Sequence, residues 1–181
     1  MILDSNGLYH VRIERVSGNL TDHCDPKDEV IRLSDSVYGS TSVAAVGVAA
    51  HEAGHAVQHA TGYIPIKVRS AIIPITQIGS QLSIPLILMG FLFQFQPLVF
   101  AGILFYATAA LFQLVTLPVE FNASARAMKV LEQSEMLAGD ELTGAGKVLR
   151  AAAMTYVAAL LTALAQLLRL ILIFGGRRRD D

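Results

Sequence analysis

The sequence carries a single cysteine, Cys24, which excludes an internal disulfide and any metal cluster built on several thiolates. Charge is also scarce: Asp, Glu, Lys and Arg make up 16% of the chain and leave a net charge of −1. No basic stripe runs along it, which argues against nucleic acid as a partner. Internal repeats and low-complexity tracts are missing as well. The run Thr143-Gly144-Ala145-Gly146-Lys147 lacks the glycine spacing and preceding strand of a nucleotide-binding loop. Met1 to Gly7 reads as neither a signal peptide nor a membrane span.

What the chain does have is apolar residues. They form 53% of its 181 positions, and the mean hydropathy is +0.50. A soluble domain of this size is less greasy, so the composition points to a mainly α-helical integral-membrane protein with the lipid bilayer as a partner. Ile72 to Phe95 and Leu98 to Leu117 hold no charged residue, and each is long enough to cross about 30 Å of hydrocarbon as a helix. Ala151 to Phe174 is a third segment, interrupted by Arg169, whose long side chain can snorkel to the interface. Pro74 and Pro85 predict an irregular or kinked first span, with Gln77, Ser80, Gln81 and Ser83 facing protein rather than lipid.

Ahead of the first span lies His51-Glu52-Ala53-Gly54-His55. Its two imidazoles stand one helical turn apart, so one zinc can take both rings with the intervening carboxylate beside it. The flanking sequence predicts a buried helix: it is alanine-rich and free of proline, opened by Ser40, Thr41 and Ser42 and closed by Gly62. Two core histidines that merely satisfy hydrogen bonds are the plainer reading, but such a helix has little other use for two His and a Glu. The spacing points to a metallopeptidase in which His51 and His55 hold zinc and Glu52 is general base and then acid.

Two histidines supply only part of the protein ligand set of a catalytic zinc. The extended pattern with a third histidine would need glycine at 58 and histidine at 61, and the chain has Gln58 and Thr61. His59 lies about 12 Å along the axis from His51 and cannot share its metal. The short connection at Gln96-Pro97 makes the first two spans a hairpin that returns the chain to the leaflet it left. Glu120 follows immediately, in Leu117-Pro118-Val119-Glu120-Phe121-Asn122-Ala123-Ser124. By position alone it is either the missing ligand or a carboxylate marking the membrane boundary.

Taken together, Leu20-Thr21-Asp22-His23, the metal helix, Leu114 to Ser124 and the Arg-rich C-terminus resemble the YugP-like family of bacterial membrane neutral zinc metallopeptidases over nearly the whole chain. More distantly they resemble integral-membrane gluzincins such as the prenyl-protein and heat-shock membrane proteases. That resemblance implies Glu120 as the third zinc ligand. It also implies a hydrogen bond from Ser124 behind a zinc-binding histidine, weaker than the aspartate those relatives use. Members of the family as a rule begin with a membrane helix and a basic linker; this sequence reads as N-terminally shortened. Cys24 stands where similar sequences carry tyrosine, either as a thiol near the metal or as a substituted structural position.

The first forty residues predict a small antiparallel sheet. Tyr9 to Val16 and Glu29 to Leu33 alternate apolar and polar, with turns at Ser17-Gly18-Asn19 and Asp25-Pro26-Lys27-Asp28. Gluzincins hold substrate backbone by strand addition, and residues 19–24 are the expected edge. His23 is then an oxyanion donor or a sheet-end hydrogen-bonding residue. After Glu120 an amphipathic helix over Ala123 to Leu137, a break at Ala138-Gly139-Asp140 and a second helix from Glu141 are expected.

The chain thus divides into 1–71, 72–117, 118–150 and 151–181: sheet and metal helix, membrane hairpin, third-ligand region, and C-terminal membrane helix with a basic tail. Lys67, Arg69, Arg126 and Lys129 put the zinc site at the cytoplasmic face by the positive-inside rule. Arg177-Arg178-Arg179 conflict with that arrangement if the third segment crosses once. The expected activity is endopeptidase cleavage of membrane or membrane-proximal proteins. The other classes are a metal-stabilised membrane scaffold or chaperone, and a protease subunit relying on a partner ATPase, since no Walker motif is present.

Overall fold

The computed structural model describes residues 2–175; the basic tail expected at Arg177-Arg178-Arg179 lies outside the described residues. Residues up to Lys67 group with Pro118–Met154 in one compact unit, and Val68–Leu117 groups with the chain from Thr155 onward in another. The first unit opens with a short helix, α1 (Ile2–Ser5), followed by strands β1 (Arg12–Val16), β2 (His23–Asp25) and β3 (Val30–Ser34). The metal helix α2 (Val43–Ala60) follows them.

The sheet has the order β1-β3-β2 and is mixed, which corrects the expectation of an antiparallel one. β2 and β3 pair antiparallel, Cys24 opposite Ile31, but β1 and β3 run parallel, Arg12 opposite Val30 and Val16 opposite Ser34. Two reversals lie between β1 and β3, so β3 regains the direction of β1. Burial then decides which strand takes the middle. Val30, Ile31 and Leu33 are at most 6% exposed, and a strand covered on both faces belongs at the centre. β1, with Arg12, Glu14 and Arg15, stays at an edge where its charges reach water. The first reversal uses Gly18 at φ 108°, a conformation that costs glycine little.

Helix α2 begins where the sequence places it. The Ser42 hydroxyl accepts from the Ala45 N–H at 3.2 Å, and Gly62, at φ 65°, follows the C-terminal turn. Its alanine side packs with Leu3, Leu8, Ile31, Leu33 and Val37 in one core cluster. Ala50 belongs to a second cluster with Ala127, Leu131, Ala145 and Leu149.

Three further helices complete the chain: α3 (Ile64–Leu92), α4 (Gln96–Gln133) and α5 (Asp140–Gly175). Each contains a stretch long and apolar enough to cross a membrane. Pro74 and Pro85 sit inside α3, and Pro118 sits inside α4. The span at Leu98 to Leu117 and the amphipathic helix expected after it are therefore one helix. Proline removes a single N–H and tertiary packing overrides its cost, so composition places a boundary where the backbone has none. In the second unit, a Cβ at Gly79 would lie 2.5 Å from the Thr108 hydroxyl, and one at Gly102 would lie 2.7 Å from the Ser83 carbonyl. Glycine thus permits close approach of α3 and α4, as small residues do between membrane helices. Leu88, Leu104, Leu111 and Leu172 are exposed on this unit, as lipid-facing side chains would be.

Candidate metal centre

His51 and His55 stand one turn apart on α2, and Glu120 reaches them from α4. Their ligating atoms all lie within 4.8 Å of one another. His51 Nε2 is 3.2 Å from Glu120 Oε2 and His55 Nε2 is 3.6 Å from the same oxygen. Two donors each about 2.1 Å from a common tetrahedral zinc are about 3.4 Å apart, so these separations bracket what the ion requires. Two imidazole nitrogens and one carboxylate oxygen are also a donor set that zinc favours, with one position left for water or substrate. The Glu120 side chain is only 3% exposed, and a buried carboxylate needs partners of this kind.

The hydrogen bonds orient both rings. His51 Nδ1 lies 3.1 Å from Ser124 Oγ, where the resemblance predicts a hydroxyl. His55 Nδ1 lies 3.0 Å from Gln58 Oε1. The two rings meet edge to face, centroids 4.6 Å apart, which leaves each Nε2 aimed toward Glu120. Burial works against a charge on His55, but the hydrogen bond and charge of Glu120 outweigh it and push its pKa up.

Glu52 is 8% exposed. Burial pushes its carboxyl above the usual range, and the Glu120 and Asp22 carboxylates act in the same direction against the lowering influence of His55 and His51. A carboxyl held in this way takes a proton more readily than one in water. Asp22, which precedes β2, accepts from the Ser34 N–H at 2.8 Å and from the Ser34 hydroxyl at 2.9 Å. It fastens the start of β2 to the end of β3, beside Glu52.

The remaining sequence candidates are not brought into this group. His23 is exposed, and its Nδ1 donates to the Thr21 carbonyl at 2.7 Å, a bond of the sheet-end kind. β2 is an edge strand, three residues long, that overlaps the expected 19–24 edge only at His23 and Cys24. His59 stands in the last turn of α2. Cys24 packs against the core beneath the sheet. Burial, followed by the Glu52 and Asp25 carboxylates, pushes its thiol up to about 12. Since the thiolate is the reactive form, Cys24 is expected to resist iodoacetamide at neutral pH in the folded protein. Mass spectrometry should find it alkylated quickly only after denaturation.

The sequence assigns no role at the site to Gln58, Asn122 or Arg126. Gln58 Nε2 donates to the Val119 carbonyl at 2.8 Å and to Asn122 Oδ1 at 3.0 Å, and Arg126 Nε donates to that same Asn122 oxygen at 2.8 Å. The available signal was spacing: Gln58 is three residues beyond His55 and so shares its face.

Over residues 1–175 the chain matches the family described as "Putative neutral zinc metallopeptidase". It is 47% identical over 180 residues to the "Putative membrane protease YugP" of Bacillus subtilis (strain 168), an alignment covering 99% of this chain and 80% of that protein. No solved structure matches the chain. A match that runs almost from end to end, and identity at this level, make the conclusion direct: the chain belongs to the family of neutral zinc metallopeptidases.

Proposed function

We propose that this membrane protein is a zinc metalloendopeptidase of the His-Glu-x-x-His type, cleaving peptide bonds in membrane or membrane-proximal proteins. The observation that carries the reading is the convergence of His51, His55 and Glu120 at separations suited to one zinc, with Glu52 next to the first ligand. When bound, zinc supplies Lewis-acid polarisation of the scissile carbonyl and lowers the pKa of water toward about 7. Glu52 takes the proton from the attacking water and passes it to the leaving amine. Gln58 Oε1, which can only accept, keeps His55 in one tautomer, and Ser124 holds the ring of His51. The edge position of β2, which contacts α2, supports strand addition as the way an extended substrate is held. Lys67, Arg69, Arg126 and Lys129 support a cytoplasmic site by the positive-inside rule.

The test is metal analysis combined with digestion of casein and of a membrane protein, with and without chelator. About one zinc per chain and chelator-sensitive cleavage are expected. Zinc without chelator-sensitive cleavage would favour a metal-stabilised scaffold instead. Glu120→Ala should lose most of its zinc while remaining folded by circular dichroism. Unchanged zinc content in that variant would mean that another residue completes the site.

A further inference from the structure

We propose that Gln58 is a positioning residue for the metal: its amide fixes the His55 ring and ties α2 to the carbonyl next to Glu120. The inference rests on the zinc reading above and adds a residue to it.

Gln58 is fully buried, on a helix whose other buried positions are mostly alanine, glycine and valine. A primary amide has two N–H donors and an acceptor oxygen, and here both ends are engaged. Nε2 donates to the Val119 carbonyl and to Asn122 Oδ1, and Oε1 faces His55 Nδ1 at 3.0 Å. The orientation of the amide follows from its partners. Turned over, it would set Oε1 against the Val119 carbonyl, two acceptors with no hydrogen between them. With Oε1 toward the ring, His55 Nδ1 must carry the hydrogen, and the lone pair of Nε2 is left for metal. Asn122 is held in turn by Arg126.

Val119 immediately precedes Glu120, so one side chain holds a ligand ring on α2 and the backbone next to a ligand on α4. Ser124 performs only the first task, for His51. Removing Gln58 should therefore weaken metal binding more than removing the Ser124 hydroxyl does.

The experiment uses the full chain in detergent micelles and compares wild type, Gln58→Met, Gln58→Glu and Ser124→Ala. Zinc affinity is measured by competition with a chromophoric chelator, and the cobalt-loaded proteins are examined for their d–d absorption bands. Gln58→Met should bind zinc about 10–100-fold more weakly and shift the cobalt bands at saturating metal, with a smaller loss in Ser124→Ala. Gln58→Glu keeps an acceptor for His55 but sets an oxygen against the Val119 carbonyl, and it should also bind more weakly than wild type. A core variant, Leu149→Ala, should lower the melting temperature without moving the cobalt bands, which separates positioning from general destabilisation. Wild-type affinity and cobalt bands in Gln58→Met would overturn the proposal, and wild-type affinity in Gln58→Glu would overturn the tie to α4. A wild-type protein that binds no zinc would overturn the metal reading and this inference together.

Discussion

Glu52→Gln is expected to keep about one zinc per chain while turnover falls by about 10²–10⁴-fold, the range over which a positioned acid-base group contributes. The substitution preserves size and polarity in a buried position and leaves the donors of His51, His55 and Glu120 in place, so metal content should not change. What the amide cannot do is accept a proton from water. The pH profile offers a second readout. Wild-type activity should rise with pH as the Glu52 carboxyl ionises, and the residual activity of Glu52→Gln should lack that limb. Zinc analysis beside a peptidase assay across pH checks both, and full activity in the variant would remove Glu52 from the mechanism.

Gly54→Ala should destabilise the metal-binding unit and loosen its zinc, although alanine is normally the better helix former by about 1 kcal/mol. A Cβ at Gly54 would lie 2.6 Å from the carbonyl oxygen of Ala123 and 3.2 Å from its Cα. These are backbone atoms of α4, not the far end of a flexible side chain, so the helices must separate. Overpacking of this kind costs about 1–3 kcal/mol and outweighs the propensity gain. Because Ala123 sits between Glu120 and Ser124, separation also draws the third ligand away from His51 and His55. Gly47→Ala on the same helix is the control: its Cβ would meet Ala145 at ordinary van der Waals distances, 3.6 Å from its Cβ, 3.8 Å from its Cα and 3.9 Å from its carbonyl oxygen, and the helix propensity gain should survive. Melting in detergent, at roughly 2–4 °C per kcal/mol for a chain of this size, together with zinc affinity, should place the two variants on opposite sides of wild type. If both stabilise, the close approach at Gly54 does not govern the site.

Much of this was legible in the sequence wherever the cause is local. Ser42 caps α2, alanine fills it and Gly62 ends it, so the helix and the facing of His51, Glu52 and His55 follow from neighbours in the chain. Glu120 required a longer argument through two apolar segments, and its family resemblance decided between ligand and boundary marker. Features that depend on distant partners were not legible. The parallel pairing of β1 with β3 depends on which strand is buried deepest, which alternation does not reveal. The continuity of α4 through Pro118 depends on packing that offsets the proline. Gln58 shares a face with His55 by spacing alone, yet its acceptors are Val119 and Asn122 on another helix, so nothing nearby marks it as more than a polar residue.

The contact of Gly54 with Ala123 also bears on how strongly the site can bind. Where two helices meet backbone to backbone, their separation is fixed by main-chain atoms that have no rotamers to choose among. The separation of the two helices that carry the three donors is therefore set when α2 and α4 fold together, not when an ion arrives. Less entropy remains to be lost at the moment of coordination, and more of the bond energy between ligand and ion is expressed as affinity.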